Sequence, residues 1–380
     1  MFTRESIYRR IEKLAEKTPI EIKDVNVFYG KVKYLKPFVI ATARIEEEDI
    51  VILVLKTREE IIGIGEGMLP NDKSKKDVLN DIALIAKKLV GMRLDNAFSY
   101  YIRDIMEQGL YIKIPVSLAI LDLIARANNK RFGELFGKVS KEKVFTDITI
   151  GIESIDETIK DVKKALDNGF QAIKLKVGKG GISEDLKRIE KVYSLLPEDV
   201  ALRIDANQGW SLDDAKKVLK EIERRGLRID IVEQPVPKNR IDWLGELTEI
   251  SNIPIIADES ARVSDDLSKL EGKVDGVNLK LWKAGDPIEV YYMGQKARRL
   301  GMIVMIGCAG ETNIGITVDT YLASTIPVDF ADLDSDLLEE GIVKAKVTKI
   351  RNSFRILPDR PGLAIELSDL LLEKFTRVYP

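Results

Sequence analysis

Gln171-Ala172-Ile173-Lys174-Leu175-Lys176 is a short, largely apolar run that closes on a lysine, and the chain repeats the device four times. Ala201–Ile204 closes on Asp205, Ile229–Val232 on Glu233, Ile253–Ala257 on Asp258, and Val277–Leu279 on Lys280. Successive closing residues are 29, 28, 25 and 22 positions apart, room each time for one strand, one loop and one helix. In a parallel α/β barrel the C-terminal ends of successive strands converge on one mouth, where such folds build their sites. Three carboxylates between two lysines are therefore expected to share one small volume.

Reading outward, the same rhythm runs from Val144 to the end of an eighth strand. Strands are expected at 144–151, 171–177, 200–205, 229–233, 253–257, 275–281, 302–307 and 327–334. They are nearly continuous apolar runs, as parallel strands covered by helices must be. Ser154 and Gly169 bracket the first intervening helix; 183–196 reads as the second. Ser211 with Asp214 starts the third and Gly226 stops it. The fold expected is an α/β barrel over 139–340. Residues 1–138 read as an α+β capping domain. It starts with a helical extension over 1–19, where Ile7, Ile11 and Leu14 form a stripe. Strands follow at 20–29, 38–45 and 50–57, then a turn at Gly63-Ile64-Gly65-Glu66-Gly67, then mostly helix over 72–138. Residues 341–380, with β-like patterning over 342–367, are expected to rejoin the cap.

Composition excludes several functions. Sixty basic and 62 acidic residues leave a net charge of −2, with no basic footprint for nucleic acid. No apolar stretch reaches the length of a membrane span, and Met1–Lys17 is too charged for a signal peptide. A single cysteine, Cys308, suits a reducing compartment, so the cytoplasm is the expected location. The chain has no histidine, which removes Ser-His-Asp and Cys-His chemistry and His-based zinc sites. Proton transfer near neutral pH is left to carboxylates, lysines, tyrosines or metal-bound water.

Lys174 and Lys176 are two apart on one strand and share a face. Asp205 with Asn207, and Asp332 with Asp334, repeat that spacing past other strand ends. A lysine beside a second lysine is expected to have a lowered pKa. Asp205, Glu233 and Asp258 offer only oxygen ligands. Either each pairs with a local lysine or arginine, or together they hold a hard divalent ion, Mg²⁺ first and Mn²⁺ as a substitute. A carboxylate substrate could then lie with its α-carbon between Lys176 and Lys280. Asp332 and Asp334 could instead cap the helix that follows them. Glu66 reads as a hairpin residue, and Gly178–Gly181 as a turn without a phosphate-binding pattern.

These motifs, from Ala172–Gly178 through Arg203–Trp210, Val232-Glu233-Gln234-Pro235, Ala257-Asp258-Glu259-Ser260 and Val277–Leu281, resemble the enolase superfamily. The likeness is greatest to its muconate-lactonizing-enzyme subgroup. It covers nearly the whole chain, including Lys36-Pro37-Phe38 and Cys308–Asn313. The resemblance implies a modified (β/α)7β barrel with a specificity-setting cap. It implies Mg²⁺ on Asp205, Glu233 and Asp258, and Lys176 and Lys280 as the acid/base pair. Lys174, Asn207 and Glu259 would support them. Asp332-Leu333-Asp334 looks like the Asp-x-Asp with which dipeptide epimerases hold a substrate α-ammonium. The expected activity is epimerisation of L,L-dipeptides at the C-terminal residue, by 1,1-proton transfer through a metal-stabilised enediolate. An o-succinylbenzoate synthase or muconate cycloisomerase is the alternative, and a non-catalytic binding protein a remoter one. A homo-oligomer is expected, and Arg44 suggests an acidic substrate side chain. Two features depart from the family pattern: Asp286 follows Gly285 where Gly-Gly is usual, and the helix before residue 18 is an addition.

Overall fold

In the computed structural model, residues 3–339, 348–366 and 375–379 are described. The chain begins with α1 (Arg4–Lys17), then β1 (Ile22–Val39), β2 (Arg44–Thr57) and β3 (Ile62–Met68), followed by α2 (Lys75–Leu89), α3 (Leu94–Tyr100) and α4 (Leu110–Ala127). The expected strands at 20–29 and 38–45 are not separate. A single β1 runs through both, pairing antiparallel with β2 from Ile22↔Thr57 to Val39↔Arg44. The lysines at 31 and 33 hide the period: they point out, while the alternating Val32 and Tyr34 are buried. Gly63–Gly67 is likewise strand, not turn, paired along β2. Its glycines answer to packing. A Cβ at Gly63 would overlap the Ala119 carbonyl oxygen, and one at Gly65 the Pro115 carbonyl oxygen, both on α4.

The added helix α1 is a clasp. Ile7, Ile11 and Ala15 are fully buried, and the helix packs on α3 and α4. Its Arg4 reaches the other way, pairing with Glu289 at 2.7 Å and lying over the Tyr292 ring.

The expected strand at 144–151 is split in two. β4 (Lys143–Phe145) leaves the barrel, and β5 (Ile148–Ile150) begins it. Between them Thr146 and Asp147 are fully buried, tied by Leu333 N–H to Thr146 Oγ1 at 2.8 Å and Arg203 to Asp147 at 2.7 Å. The remaining barrel strands are β6 (Ala172–Lys176), β7 (Ala201–Asp205), β8 (Val232–Glu233), β9 (Ile255–Ala257), β10 (Gly276–Leu279), β11 (Ile303–Gly307) and β12 (Phe330–Asp332). Helices α5 (Ile155–Asp167), α6 (Ile182–Tyr193), α7 (Leu212–Arg224), α8 (Ile241–Ile250) and α9 (Ser264–Leu270) alternate with them. Beyond β10 come α10 (Leu281–Ala284), α11 (Pro287–Arg299), α12 (Asn313–Thr325) and α13 (Ser335–Leu338). Among the described residues the eight strands form one parallel sheet in sequence order, β5 to β12. A single backbone bond among the described residues, Asp147 N–H to Ala331 O at 3.4 Å, joins its two ends. The result is a nearly closed barrel beside a separate antiparallel sheet.

The helix caps follow the sequence. Ser154 and Ser211 accept from Glu157 N–H and Asp214 N–H, and Gly226 adopts positive φ after α7. Asp286, the departure noted above, caps α11 by accepting from Ile288 and Glu289 N–H. It also accepts the Tyr101 hydroxyl from the cap side.

The last strands divide their allegiance. β13 (Lys349–Arg351) and β14 (Phe354–Ile356) form a sheet with β4, not with the cap sheet as the patterning over 342–367 suggests. Residues 342–347 and 367 of that span lie outside the described residues. It is β15 (Phe375–Tyr379) that pairs with β1. No helix among the described residues is long and apolar enough to cross a membrane.

Candidate active site

Parallel register brings the closing residues together. Lys176 stands level with Asp205, and Asp205 with Glu233. Asp205, Glu233 and Asp258 are all buried and offer ligand oxygens within 4.8 Å of one another. Lys176 Nζ donates to Asp205 Oδ2 at 2.5 Å, and Lys280 Nζ to Asp258 Oδ2 at 2.8 Å. Lys174 Nζ lies 3.5 Å from Glu233 Oε2 and donates to Asp332. So the lysines do lie against the carboxylates, the simpler of the two arrangements above. They do not satisfy the site: Glu233 Oε2 is buried without a hydrogen bond. Three oxygen donors from adjacent strands, one of them unsatisfied, with no histidine or thiol in the triad, suit a hard divalent cation.

The electrostatics follow from burial and from these pairs. Burial, aided by the Asp205 charge, pushes the Glu233 carboxyl up to about 7. Asp258 moves the other way: burial alone would raise it, but Lys280 and Lys283 hold it well below the usual range. The expected lowering by a neighbouring lysine fails for Lys174. Burial acts downward on it, but Asp332 and Glu233 together raise it well above the ordinary value. Carboxylates outnumber lysines around it.

Asn207 donates its N–H to Asp205 Oδ1 at 2.8 Å, fixing that carboxylate, and its amide reaches Glu259 Oε1 at 3.3 Å. Asp332 and Asp334 come together at the barrel seam. Thr149 N–H donates to Asp334 Oδ2 at 2.5 Å, and Thr149 Oγ1 to Asp332 Oδ1 at 3.1 Å. Asp334 precedes α13 but makes no side-chain cap there. Burial, then the Asp332 charge, pushes the Asp334 carboxyl up to about 6. Arg44 is 58% exposed and pairs with Glu46 at 3.1 Å.

Several neighbours escaped the sequence reading. Asn278 Nδ2 donates to Glu233 Oε1 at 2.6 Å, and Gln234 Oε1 accepts from Asp258 N–H at 2.9 Å. Lys283, on the short α10, donates to the Asp258 carboxylate and to the Asn278 carbonyl at 2.7 Å. Asn278 lies two residues before Lys280, so the spacing that singles out Lys174 would have found it. Lys283 depends on a one-turn helix that no pattern announces.

The mouth of this capped barrel thus gathers buried carboxylates and lysines in direct contact. A family model for enolase C-terminal domain-like proteins matches residues 157–370, and the chain belongs to that family, within the enolase superfamily. The hydrophobic dipeptide epimerase of Enterococcus faecalis is 32% identical over 358 residues, covering 91% of this chain and 99% of that protein. The crystal structure of the dipeptide epimerase from E. faecalis V583, complexed with Mg and L-Leu-L-Tyr, superposes with a TM-score of 0.82 at 31% identity, over 91% of this chain and 99% of that one. A substrate-liganded L-Ala-D/L-Glu epimerase from Bacillus subtilis gives 0.83 at 28% identity, over 91% and 98%. These relatives are isomerases.

Proposed function

We propose that this protein is a Mg²⁺-dependent dipeptide epimerase that inverts the C-terminal residue of an L,L-dipeptide. Asp205, Glu233 and Asp258 would hold the ion, with Mn²⁺ as a substitute. When bound, the ion supplies charge stabilisation for the substrate carboxylate as the α-proton leaves. Lys176 and Lys280 end strands four places apart in an eight-stranded order, so they face the α-carbon from opposite sides. One removes the proton, the other returns one to the opposite face. Lys174 holds Asp332 in place, Asn207 holds Asp205, and Glu259 supports Asn207.

The observation that carries the dipeptide reading is the buried pair Asp332 and Asp334 beside the lysines. Two carboxylates suit a free α-ammonium, and a muconate or succinylbenzoate has no cation to give them. The names of the relatives support the same choice over cycloisomerisation or β-elimination. A dipeptide library incubated in D₂O with Mg²⁺ and followed by mass spectrometry tests it. One deuterium should enter at the C-terminal α-carbon, excess EDTA should stop the exchange, and Mg²⁺ or Mn²⁺ should restore it. Exchange unaffected by EDTA, or none with any dipeptide, overturns the reading.

A further inference from the structure

Next to the Asp332–Asp334 pair the mouth has a second acidic wall that the proton-transfer scheme does not use. Cys308 joins the two, its Sγ 3.7 Å from Asp334 Oδ1, and it feels the charge of Glu311. Glu311 follows β11. Glu48 comes down from β2 of the cap over Gly310, where a Cβ would sit 2.8 Å from its Cγ and Oε1. The glycine leaves the room that Glu48 fills. Tyr34 of β1 bonds to Glu48 and bridges to Glu339 through the backbone.

Among the described residues no cationic side chain satisfies this wall. Glu311 and Glu339 are each 5% exposed. Glu311 Oε1 and both carboxylate oxygens of Glu339 have no hydrogen-bond partner. Behind them Asp319 is wholly buried in α12 with both oxygens unpartnered. No lysine or arginine among the described residues forms an ion pair with Glu48, Glu311 or Glu339. Buried carboxylates without partners are costly unless protonated or met by a cation. Their oxygens do not converge as the Asp205–Glu233–Asp258 set does within 4.8 Å. A spread of acids suits an extended organic cation better than a bare ion.

We propose that Glu48, Glu311 and Glu339 receive the cationic side chain of the substrate's N-terminal residue, a lysyl or arginyl group. This rests on the dipeptide reading and names its substrate class. With the α-ammonium held by Asp332 and Asp334, the side chain of the same residue would run past Cys308, which contacts Asp334 and feels the Glu311 charge. Arg44, the one residue that suggested an acidic substrate, faces solvent instead.

The test compares L-Lys-L-Ala with L-norleucyl-L-Ala, its uncharged counterpart of similar length, by kcat/KM for α-deuterium incorporation. The native enzyme should favour the lysyl substrate at least tenfold. Glu48→Gln should cut that ratio by about tenfold, the order expected for one charge-assisted hydrogen bond. Glu311→Gln, which keeps an acceptor for Ala309 N–H, should do the same independently. Equal turnover of the two substrates overturns this inference and leaves the epimerase reading standing, whereas no exchange with either, or with any dipeptide, removes both. A ratio unchanged in both variants also overturns it. So does a second equivalent of Mg²⁺ or Ca²⁺, bound without substrate and lost in Glu48→Gln, because the acids would then belong to an inorganic ion.

Discussion

Lys176 and Lys280 each hold one carboxylate of the triad, yet they approach it from opposite walls of the barrel. That division should separate in kinetics. Replacing either with alanine should abolish epimerisation, while one variant still washes solvent deuterium into a single enantiomer. If both variants interconvert the epimers at the native rate, the two-base scheme is wrong. Asp334 makes a different demand. An ammonium held between two buried carboxylates gains charge-assisted hydrogen bonds of about 1.5–3 kcal/mol each. N-acetylated dipeptides should therefore be poor substrates, by about tenfold to a hundredfold in kcat/KM. Asp334→Asn should narrow that gap. Equal turnover of free and acetylated forms by the native protein would favour an acyl substrate. The residues behind these predictions were legible because strand geometry puts i and i+2 on one face. What escaped, such as Thr149 N–H on Asp334, is backbone supplied by a strand far away in sequence, which leaves no trace in residue type.

Elements were legible where periodicity was clean and obscured where packing overrode composition. The barrel strands declared themselves because burial on both sides forces unbroken apolar runs. β3 did not, since three glycines read as a turn until α4 is seen lying on them. The split of 144–151 turned on Thr146 and Asp147, whose partners are distant in sequence: Leu333, just past β12, and Arg203 in β7. α1 was readable as a helix from its stripe, but its docking site was not. With Ile11 fully buried against the cap helices, Ile11→Ala should cost about 2–5 kcal/mol through lost transfer energy and the cavity left behind. Urea unfolding would measure it. A loss below about 0.5 kcal/mol, typical of surface substitutions, would mean that the clasp is not packed as described.

At the scale of the whole molecule the question is how the cap is held over the barrel, and Glu66 is one answer. It leaves cap strand β3 fully buried and accepts from Thr312, at the start of barrel helix α12, through both N–H at 2.9 Å and the hydroxyl. Burial pushes its carboxyl up to about 7, against the pull of the Thr312 bonds, and Glu311 adds to the push. In the unfolded chain the same group titrates near its ordinary value of 4.5. Between those two values the folded protein keeps a proton that the unfolded chain has lost. The contribution is therefore fully present below about 4.5 and disappears as pH rises through about 7. At about 1.4 kcal/mol per pH unit, the span is worth on the order of 3 kcal/mol. Glu66→Gln retains an acceptor for Thr312 and cannot ionise, so relative to the native protein it should gain stability as pH rises from 5 to about 7 and then level off towards pH 8. Other raised carboxyls, Glu48 at about 7 and Asp286 at about 6, push both proteins in the same direction. The informative quantity is thus the difference between two urea-unfolding series, native and variant, at matched pH. A difference that stays constant across that range would show that Glu66 is not a protonated joint between cap and barrel.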